Sequence, residues 1–238
     1  MARIRTFAVV ISGAVVAGIF TAVWTAPDWI VDELARRYPG CLYRVPIQQR
    51  LLALTFDDGP DSETTPRILA ELRRHGARAT FFLIAGRVPG REHVVRGIVK
   101  EGHEVGNHFT QDRPSIQLKP SDFKTDLLQA HQALAAFAPL RWARPGSGWY
   151  SREMIGVMKQ NGYRCALASV YPFDATIPWV HWTADYVLRN ARPGGIVALH
   201  DGGARGLRTA RVLASVIPEL QRRGYRLVSL SELMAAAA

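Results

Sequence analysis

Apolar runs of three to seven residues alternate with longer amphipathic stretches from residue 51 onward. The longer stretches place apolar side chains three or four positions apart, as a helix with one buried face does. Several of them end in glycine, which is common just after a helix. The short runs predict strands over residues 51–56, 79–84, 103–107, 141–143, 163–169, 195–199 and 226–230. The amphipathic stretches predict helices over residues 64–76, 91–102, 121–137, 151–162 and 209–224.

This repeated strand-helix order predicts an α/β fold with a parallel sheet, either open or closed into a barrel. The chain has 238 residues, of which 48% are hydrophobic, so it can bury one sizeable core. Single α/β barrels often have this length. We therefore predict one catalytic domain over residues 51–238, preceded by a short appendage.

The first 27 residues have a different pattern. Arg3 and Arg5 precede the uncharged residues 6–27, and these 22 residues would span roughly 33 Å as a helix, enough to cross a hydrocarbon core of about 30 Å. Basic residues before such a span favour a cytoplasmic amino terminus. We predict an uncleaved signal anchor, a single-pass transmembrane helix in the cell membrane with the catalytic domain outside the cytoplasm. A cleaved signal peptide is the alternative.

Residues 28–50 are expected to form a juxtamembrane helix and a linker. Ile30, Leu34 and Tyr38 have helical spacing, and Pro39 and Gly40 end the pattern.

The charge balance points to anionic surroundings. The chain carries 30 basic and 20 acidic residues, and setting Arg3 and Arg5 aside still leaves 28 basic residues against 20 acidic ones. A membrane surface or an acidic cell-wall polymer fits this surplus. Nucleic acid is not an expected partner, because no zinc-finger spacing and no interleaved basic and aromatic motif occurs.

Only two cysteines occur, Cys41 and Cys165, which excludes a disulfide-dense scaffold and a cysteine-rich zinc finger. They could pair in an oxidising compartment or remain separate thiols, and the sequence leaves both outcomes open.

Polar residues that could bind a cation or transfer protons follow the predicted strands. The sequence "LTFDDGPD" places two adjacent carboxylates at the end of the first strand, and His, Arg, Asp and His follow later strands. In α/β barrels the loops at the carboxyl ends of the strands form the active-site face. One of the two aspartates could hold a cation while the other handles protons. These strand-end residues are Asp57, Asp58, His108, Arg144, Asp174 and His200.

Four motifs occur along the chain: "TFDDGP" (55–60), "GHEVGNH" (102–108), "RPGSG" (144–148) and "VALHDG" (197–202). Together they resemble the polysaccharide deacetylase family, also called the NodB-homology domain or carbohydrate esterase family 4, and the resemblance covers roughly residues 51–230. It implies a distorted (β/α)7-type barrel with a divalent metal that hydrolyses N-acetyl groups on amino-sugar polymers. From the residues alone, only a metal-assisted hydrolase is expected.

The resemblance implies a metal site and a base. Asp57 matches the family's general base, while Asp58 and His108 match metal ligands. The family usually has a second histidine four residues after the first, but this chain has Asp112 there. If that segment is helical, Asp112 lies on the same face as His108 and can still reach the metal. The expected ion is Zn²⁺, with Mn²⁺, Co²⁺ or Ni²⁺ as alternatives. The other interpretation is that Asp112 caps a turn and the metal site is lost.

The remaining roles also come from the resemblance. His200 would protonate the departing amine, with Asp174 as its partner, and Arg144 would orient Asp57 through a bidentate contact. The loop at Ser147 would supply a backbone N–H to the oxyanion. Asp174 is the least direct match, because the tryptophan that usually follows it is absent.

Several apolar residues are candidates for sugar contact. Leu199 matches a position that would contact the acetyl methyl group. Trp149 is the main candidate for stacking on a sugar ring, and Trp142, Tyr150 and Trp179 could stack or belong to the core.

Three functions remain open from the sequence. The first is an anchored, metal-dependent deacetylase of peptidoglycan or chitin-like polymers or oligomers. The second is a deacylase of a lipid-linked amino sugar. The third is a sugar-binding pseudoenzyme that has lost its metal.

Overall fold

The computed structural model describes residues 28–237. Its strands are β1 (Cys41–Leu42), β2 (Leu51–Gly59), β3 (Thr80–Leu83), β4 (Glu104–Asn107), β5 (Trp142–Ala143), β6 (Arg164–Ala166), β7 (Ile196–His200) and β8 (Arg226–Val228). Its α-helices are α1 (Asp28–Arg37), α2 (Thr64–Arg74), α3 (Glu92–Lys100), α4 (Pro120–Leu134), α5 (Arg152–Gln160), α6 (Val180–Asn190), α7 (Gly203–Arg222) and α8 (Leu230–Ala235).

The strands form one sheet in the order β1-β6-β5-β4-β3-β2-β7, and β8 pairs with the start of β2. The pairings between these strands are parallel. The segment after β6 then meets β7 through a bridge between Val170 and Val197, so β2 to β7 form a closed ring. The predicted α/β class with a parallel sheet is confirmed.

Successive side chains of β2 point alternately into two apolar layers. Leu52, Leu54 and Phe56 belong to the main core cluster, which also contains apolar residues of the surrounding helices. Leu51 and Ala53 belong to a second cluster with interior residues of other strands. Because β2 is buried on both faces, its residues before the two aspartates are apolar apart from Thr55.

All seven predicted strands are present, with bounds that shift by one to three residues. The sequence did not predict β1, α6 or α8. The two-residue β1 is too short to show a pattern, and α6 begins at Val180 without a side-chain cap. The six-residue α8 does have a capping box, in which Ser229 accepts from the Glu232 N–H and the Glu232 side chain accepts from Ser229.

Residues 28–50, predicted as a helix and linker, pack on the barrel. The helix is present as α1, while Val31 and Tyr43 enter one core cluster and Val45 another. Among residues 28–237 no helix is long and apolar enough to cross a membrane. The predicted anchor at residues 1–27 lies outside the described residues.

Cys41 and Cys165 are buried free thiols at paired positions of β1 and β6. A hydrogen bond with Cys41, together with burial, raises the pKa of Cys165.

Candidate active site

A bulge at the end of β2 allows two consecutive aspartates to serve one site. In a regular strand, neighbouring side chains point to opposite faces. Asp58 interrupts this alternation with a φ of 73°, and the pairing of β2 with β3 shifts register between Asp57 and Gly59. Aspartate tolerates this left-handed conformation better than most residues do. Both carboxylates are buried, and both act electrostatically on His108.

Arg144 holds Asp57. Its Nη1 donates to Asp57 Oδ1 at 2.6 Å and to Thr55 Oγ1 at 2.9 Å. Its Nε and Nη2 donate to the backbone oxygens of Ala166 and Leu167. One nitrogen of Arg144 therefore contacts Asp57, and not two as predicted. The other two nitrogens are held by backbone oxygens at the end of β6. Within the described chain, Asp57 Oδ2 accepts no hydrogen bond, which leaves it free to accept a proton.

Asp174 holds His200 in a fixed orientation. Asp174 Oδ1 lies 2.9 Å from His200 Nδ1, and Oδ2 accepts from the His200 backbone N–H at 2.9 Å. Burial alone would lower the pKa of His200. The hydrogen bond to Asp174 and the charges of Asp174, Asp57 and Asp58 outweigh burial and raise that pKa from 6.5 to about 9. His200 is therefore an imidazolium at neutral pH, with Nδ1 committed to Asp174.

Asp58 has two basic neighbours. Its Oδ1 lies 3.6 Å from His108 Nε2, and its Oδ2 accepts from Arg205 Nη1 at 2.8 Å. His108 Nδ1 faces the Arg144 backbone oxygen at 2.7 Å. Burial alone would raise the pKa of Asp58, but interactions with His108, His200 and Arg205 lower it to about 2. Asp58 is thus ionised across the physiological range, and Arg205 partly neutralises it.

Asp112 does not join Asp58 and His108. The segment from His108 to Pro114 is not helical, and Phe109 has a φ of 64°. Asp112 therefore lacks the shared helical face that the prediction required. Its carboxylate accepts from Arg87 Nη2 at 3.1 Å and its side chain is 46% exposed.

Asp126 explains this loop conformation. Its Oδ1 accepts from the Thr110 N–H at 2.8 Å, and its Oδ2 accepts from Arg113 Nη2 at 3.0 Å. The loop is held from both sides of Asp112, which leaves that side chain at the surface.

The predicted three-ligand metal site is therefore not assembled. Among residues 28–237 no group of three His, Cys, Asp or Glu side chains is placed to hold a metal ion. Asp58 and His108 approach each other, but Arg205 occupies the remaining carboxylate oxygen of Asp58 and Arg87 holds Asp112. The residues in this arrangement do not fit the predicted metal set.

The loop after Arg144 presents the predicted substrate groups at the surface. Ser147 is exposed and has a φ of 60°, and Trp149 is 69% exposed. The Gly146 N–H donates to Ser115 Oγ at 2.8 Å, which anchors the loop beside the Asp112 segment. Trp179 is also exposed, whereas Trp142 is buried and so belongs to the core.

Leu199 is not placed to contact an acetyl group. It is fully buried in the main core cluster and pairs with Phe56 in register. Because strand side chains alternate, Leu199 points away from the face that His200 serves. The prediction for Leu199 is wrong for this reason.

Sequence reasoning missed several residues of the site. Arg205 and Arg87 have no local signal, because the chain contains 26 arginines and no motif distinguishes these two from the others. Asp201 stands in the motif "VALHDG" but received no role. Burial raises the pKa of Asp201 to about 6, although hydrogen bonds from Thr64 and Thr65 oppose this rise.

The parallel barrel and the two pairs, Arg144–Asp57 and Asp174–His200, define a hydrolase-type site in which a carboxylate and an imidazolium lie on adjacent strand ends. A family model described as polysaccharide deacetylase matches residues 44–166. The chain belongs to the polysaccharide deacetylase family and is a hydrolase of that family.

Two relatives match most of the chain. A peptidoglycan-N-acetylglucosamine deacetylase of Bacillus cereus is 37% identical over 196 residues, which are 81% of this chain and 92% of the relative. A chitooligosaccharide deacetylase of Bradyrhizobium is 35% identical over 77% of this chain and 90% of the relative.

Solved structures give the same family. A peptidoglycan N-acetylglucosamine deacetylase superposes with a TM-score of 0.77 at 28% identity, covering 84% of this chain and 94% of that one. A carbohydrate esterase family 4 pseudoenzyme of Bacillus anthracis superposes with a TM-score of 0.75 at 26% identity, covering 82% of this chain and 68% of that one.

Proposed function

We propose that this protein hydrolyses N-acetyl groups of an amino-sugar polymer or oligomer, of the peptidoglycan or chitin type, outside the membrane. One observation carries the proposal: Asp57 and His200 are register partners on adjacent strands, and each is held by its own buried partner. The named activities of the two relatives support the substrate class.

The protein groups divide the proton transfers between them. Asp57, with Oδ1 held by Arg144, accepts a proton from the attacking water at Oδ2. His200, protonated at neutral pH and fixed through Nδ1, donates its Nε2 proton to the departing amine. The loop containing Ser147 would stabilise the developing oxyanion through a backbone N–H. Acid and base groups of this kind each contribute typically about 10²–10⁴-fold to the rate.

Metal dependence is a separate part of the proposal. Asp58 and His108 would be protein ligands of a divalent ion, with Zn²⁺ as the first candidate. Binding requires Arg205 to release Asp58, and a third protein ligand requires Asp112 to leave Arg87.

The place of action is proposed from the sequence. The cationic residues before the uncharged segment 6–27 support an inside amino terminus and an outside catalytic domain. A reporter fused after Ala238 that works only outside the cytoplasm should be active. Activity of a cytoplasm-only reporter at the same position would overturn this topology.

A metal-free sugar-binding protein is the second candidate function. The contact of Arg205 with Asp58 and the surface position of Asp112 favour it. Under this alternative, exposed Trp149 and Trp179 would bind sugar rings without turnover.

The decisive experiment measures acetate release by the full-length protein from N-acetylglucosamine oligomers and from peptidoglycan glycan, with and without added Zn²⁺, Mn²⁺, Co²⁺ or Ni²⁺. Asp57→Asn is the inactive control. Release by the wild type but not by the variant supports the deacetylase. Sugar binding without release under every metal condition would establish the pseudoenzyme. A lipid-linked amino sugar is tested in parallel, and turnover of this substrate alone would identify the protein as the deacylase of a lipid-linked amino sugar.

A further inference from the structure

A cavity of about 420 Å³ lies against Asp58 and has arginines in its wall. The arginines are Arg87, Arg91 and Arg205, and the acidic side chains are Asp58, Asp61 and Asp201. The cavity therefore adjoins the reaction site but extends past it towards α3 and the start of α7.

The acidic groups of the wall are already committed to other donors. Asp61 Oδ1 accepts from the Glu63 and Thr64 N–H groups, and Asp61 Oδ2 accepts from the Gly203 N–H at 3.2 Å. Asp201 accepts from the hydroxyls of Thr64 and Thr65 and from the Gly202 N–H. These hydrogen bonds come from backbone N–H groups and hydroxyls, so neither carboxylate depends on an arginine for them.

The arginines retain unused donors. Arg205 gives one nitrogen, Nη1, to Asp58, and Arg87 binds Asp112 and the Asp58 backbone oxygen. Arg91 donates Nη1 to the Arg87 backbone oxygen at 3.1 Å. In the part of the chain that the structure describes, no carboxylate contacts Arg91. Its guanidinium therefore forms no ion pair within residues 28–237 and keeps donors for a ligand.

We propose that this cavity binds an anionic group, a carboxylate or a phosphate, on the glycan next to the sugar whose acetamide reacts. Guanidinium groups match the geometry of both anions and form charge-assisted hydrogen bonds with them. The basic surplus of the chain, 28 against 20 once Arg3 and Arg5 are set aside, attracts such a substrate. This assignment rests on the proposed deacetylase function and names its substrate class: an acidic glycan.

The test measures binding, so that it does not depend on turnover. The full-length Asp57→Asn protein is titrated calorimetrically with four probes of equal length. These are a neutral N-acetylglucosamine oligomer, an oligomer alternating N-acetylglucosamine with N-acetylmuramic acid carrying free carboxylates, the methyl ester of that oligomer, and an N-acetylglucosamine oligomer ending in a phosphate. The free carboxylate or the phosphate should bind at least about tenfold more tightly than the neutral or esterified probe. Whichever acidic probe gains affinity identifies the source of the anion.

Arg91→Gln should reduce this preference to about twofold, whereas Arg91→Lys, which retains the charge but not the guanidinium geometry, should keep an intermediate preference. Lys100→Gln is the matched control, because it removes one positive charge from the exposed far end of the same helix, α3. It should leave the preference unchanged. Circular dichroism and thermal melting establish that each variant is folded.

Equal affinity for all four probes, an unchanged preference in Arg91→Gln, or no binding of any probe would overturn the proposal. The proposed function fails separately: a preference for the acidic probe without acetate release by the wild type would retain the anion site and reject the deacetylase. Acetate release by the wild type without a preference for the acidic probe would support the deacetylase and reject the anion site.

Discussion

Asp57 on β2 and His200 on β7 are paired residues of adjacent parallel strands. The backbone N–H of Asp201 also donates to the Asp57 carbonyl at 2.7 Å, which fixes the two strand ends together. Neighbouring strands lie about 4.8 Å apart, so the pairing sets the distance between the proposed base and acid. The sheet itself therefore positions the two proton-transfer groups.

Asp57→Asn and His200→Ala should separate the base from the acid. Asp57→Asn should lower kcat on an N-acetylated oligosaccharide by about 10²–10⁴-fold, because it removes the proton acceptor. His200→Ala should lower kcat similarly on this amide but much less on an activated acetate ester, whose leaving group departs without protonation. The measurement is kcat for both substrates at matched metal occupancy. Equal losses on the two substrates for His200→Ala would reject His200 as the acid.

The pH profile should report the pairing of Asp174 with His200. The pKa of His200 is raised to about 9, so its acid form persists at neutral pH and is lost as pH rises through that value. We expect kcat/KM to fall on the alkaline side near pH 9. Asp174→Asn removes the partner that raises this pKa, and the alkaline limb should move towards the ordinary histidine value of about 6.5.

The same raised pKa has a consequence for folding stability. The contribution of the Asp174–His200 pair should be fully present below about pH 6.5 and should be lost as pH rises through about 9. Urea unfolding across this range measures it. In the kinetic experiment, an alkaline limb of kcat/KM that lies at the same pH in Asp174→Asn as in the wild type would show that another group titrates.

Metal affinity should depend on the arginine that contacts Asp58. Arg205 is 39% exposed in its side chain, so its ion pair with Asp58 is worth up to about 1 kcal/mol. Arg205→Gln should therefore raise the affinity for Co²⁺ by up to about fivefold. Asp58→Ala should abolish binding. Titration followed by the cobalt absorption spectrum measures both changes.

Asp112→Ala tests the third predicted ligand, with Asp122→Ala on the exposed face of α4 as the control. A loss of Co²⁺ affinity only in Asp112→Ala would show that Asp112 leaves Arg87 when metal binds. Absence of Co²⁺ binding in every protein, the wild type included, would reject the metal site.

Gly146→Ala should disturb the loop that carries Ser147. An added Cβ would lie 2.1 Å from the Arg113 backbone oxygen, so the two loops would have to separate. We expect a loss of about 1–3 kcal/mol in the free energy of unfolding, together with reduced turnover. Gly156→Ala in α5 is the control, because its Cβ would meet no atom within 4 Å. The control should be neutral or stabilise by up to about 1 kcal/mol. Equal stability of the two variants in urea unfolding would contradict the close approach.

The sequence by itself determined the α/β class, the seven predicted strands and the family. Each follows from local information: apolar runs, helical spacing, and motifs at strand ends. It also predicted that Asp57, Arg144, Asp174 and His200 lie close together, because residues at the ends of parallel strands meet at one rim whatever the details of packing.

Only the tertiary structure decided which of these residues touch. The loop after His108 takes its shape from Asp126 and Arg87, which lie elsewhere in the sequence. The spacing of four residues between His108 and Asp112 therefore could not show that Asp112 lies at the surface. Leu199 was misplaced because strand alternation assigns a face only once the partner layers are known. Arg205 reaches Asp58 across 147 residues, and one arginine among 26 carries no mark of this contact in the sequence. Local patterns specify elements and motifs, whereas long-range side-chain contacts depend on the packing of those elements.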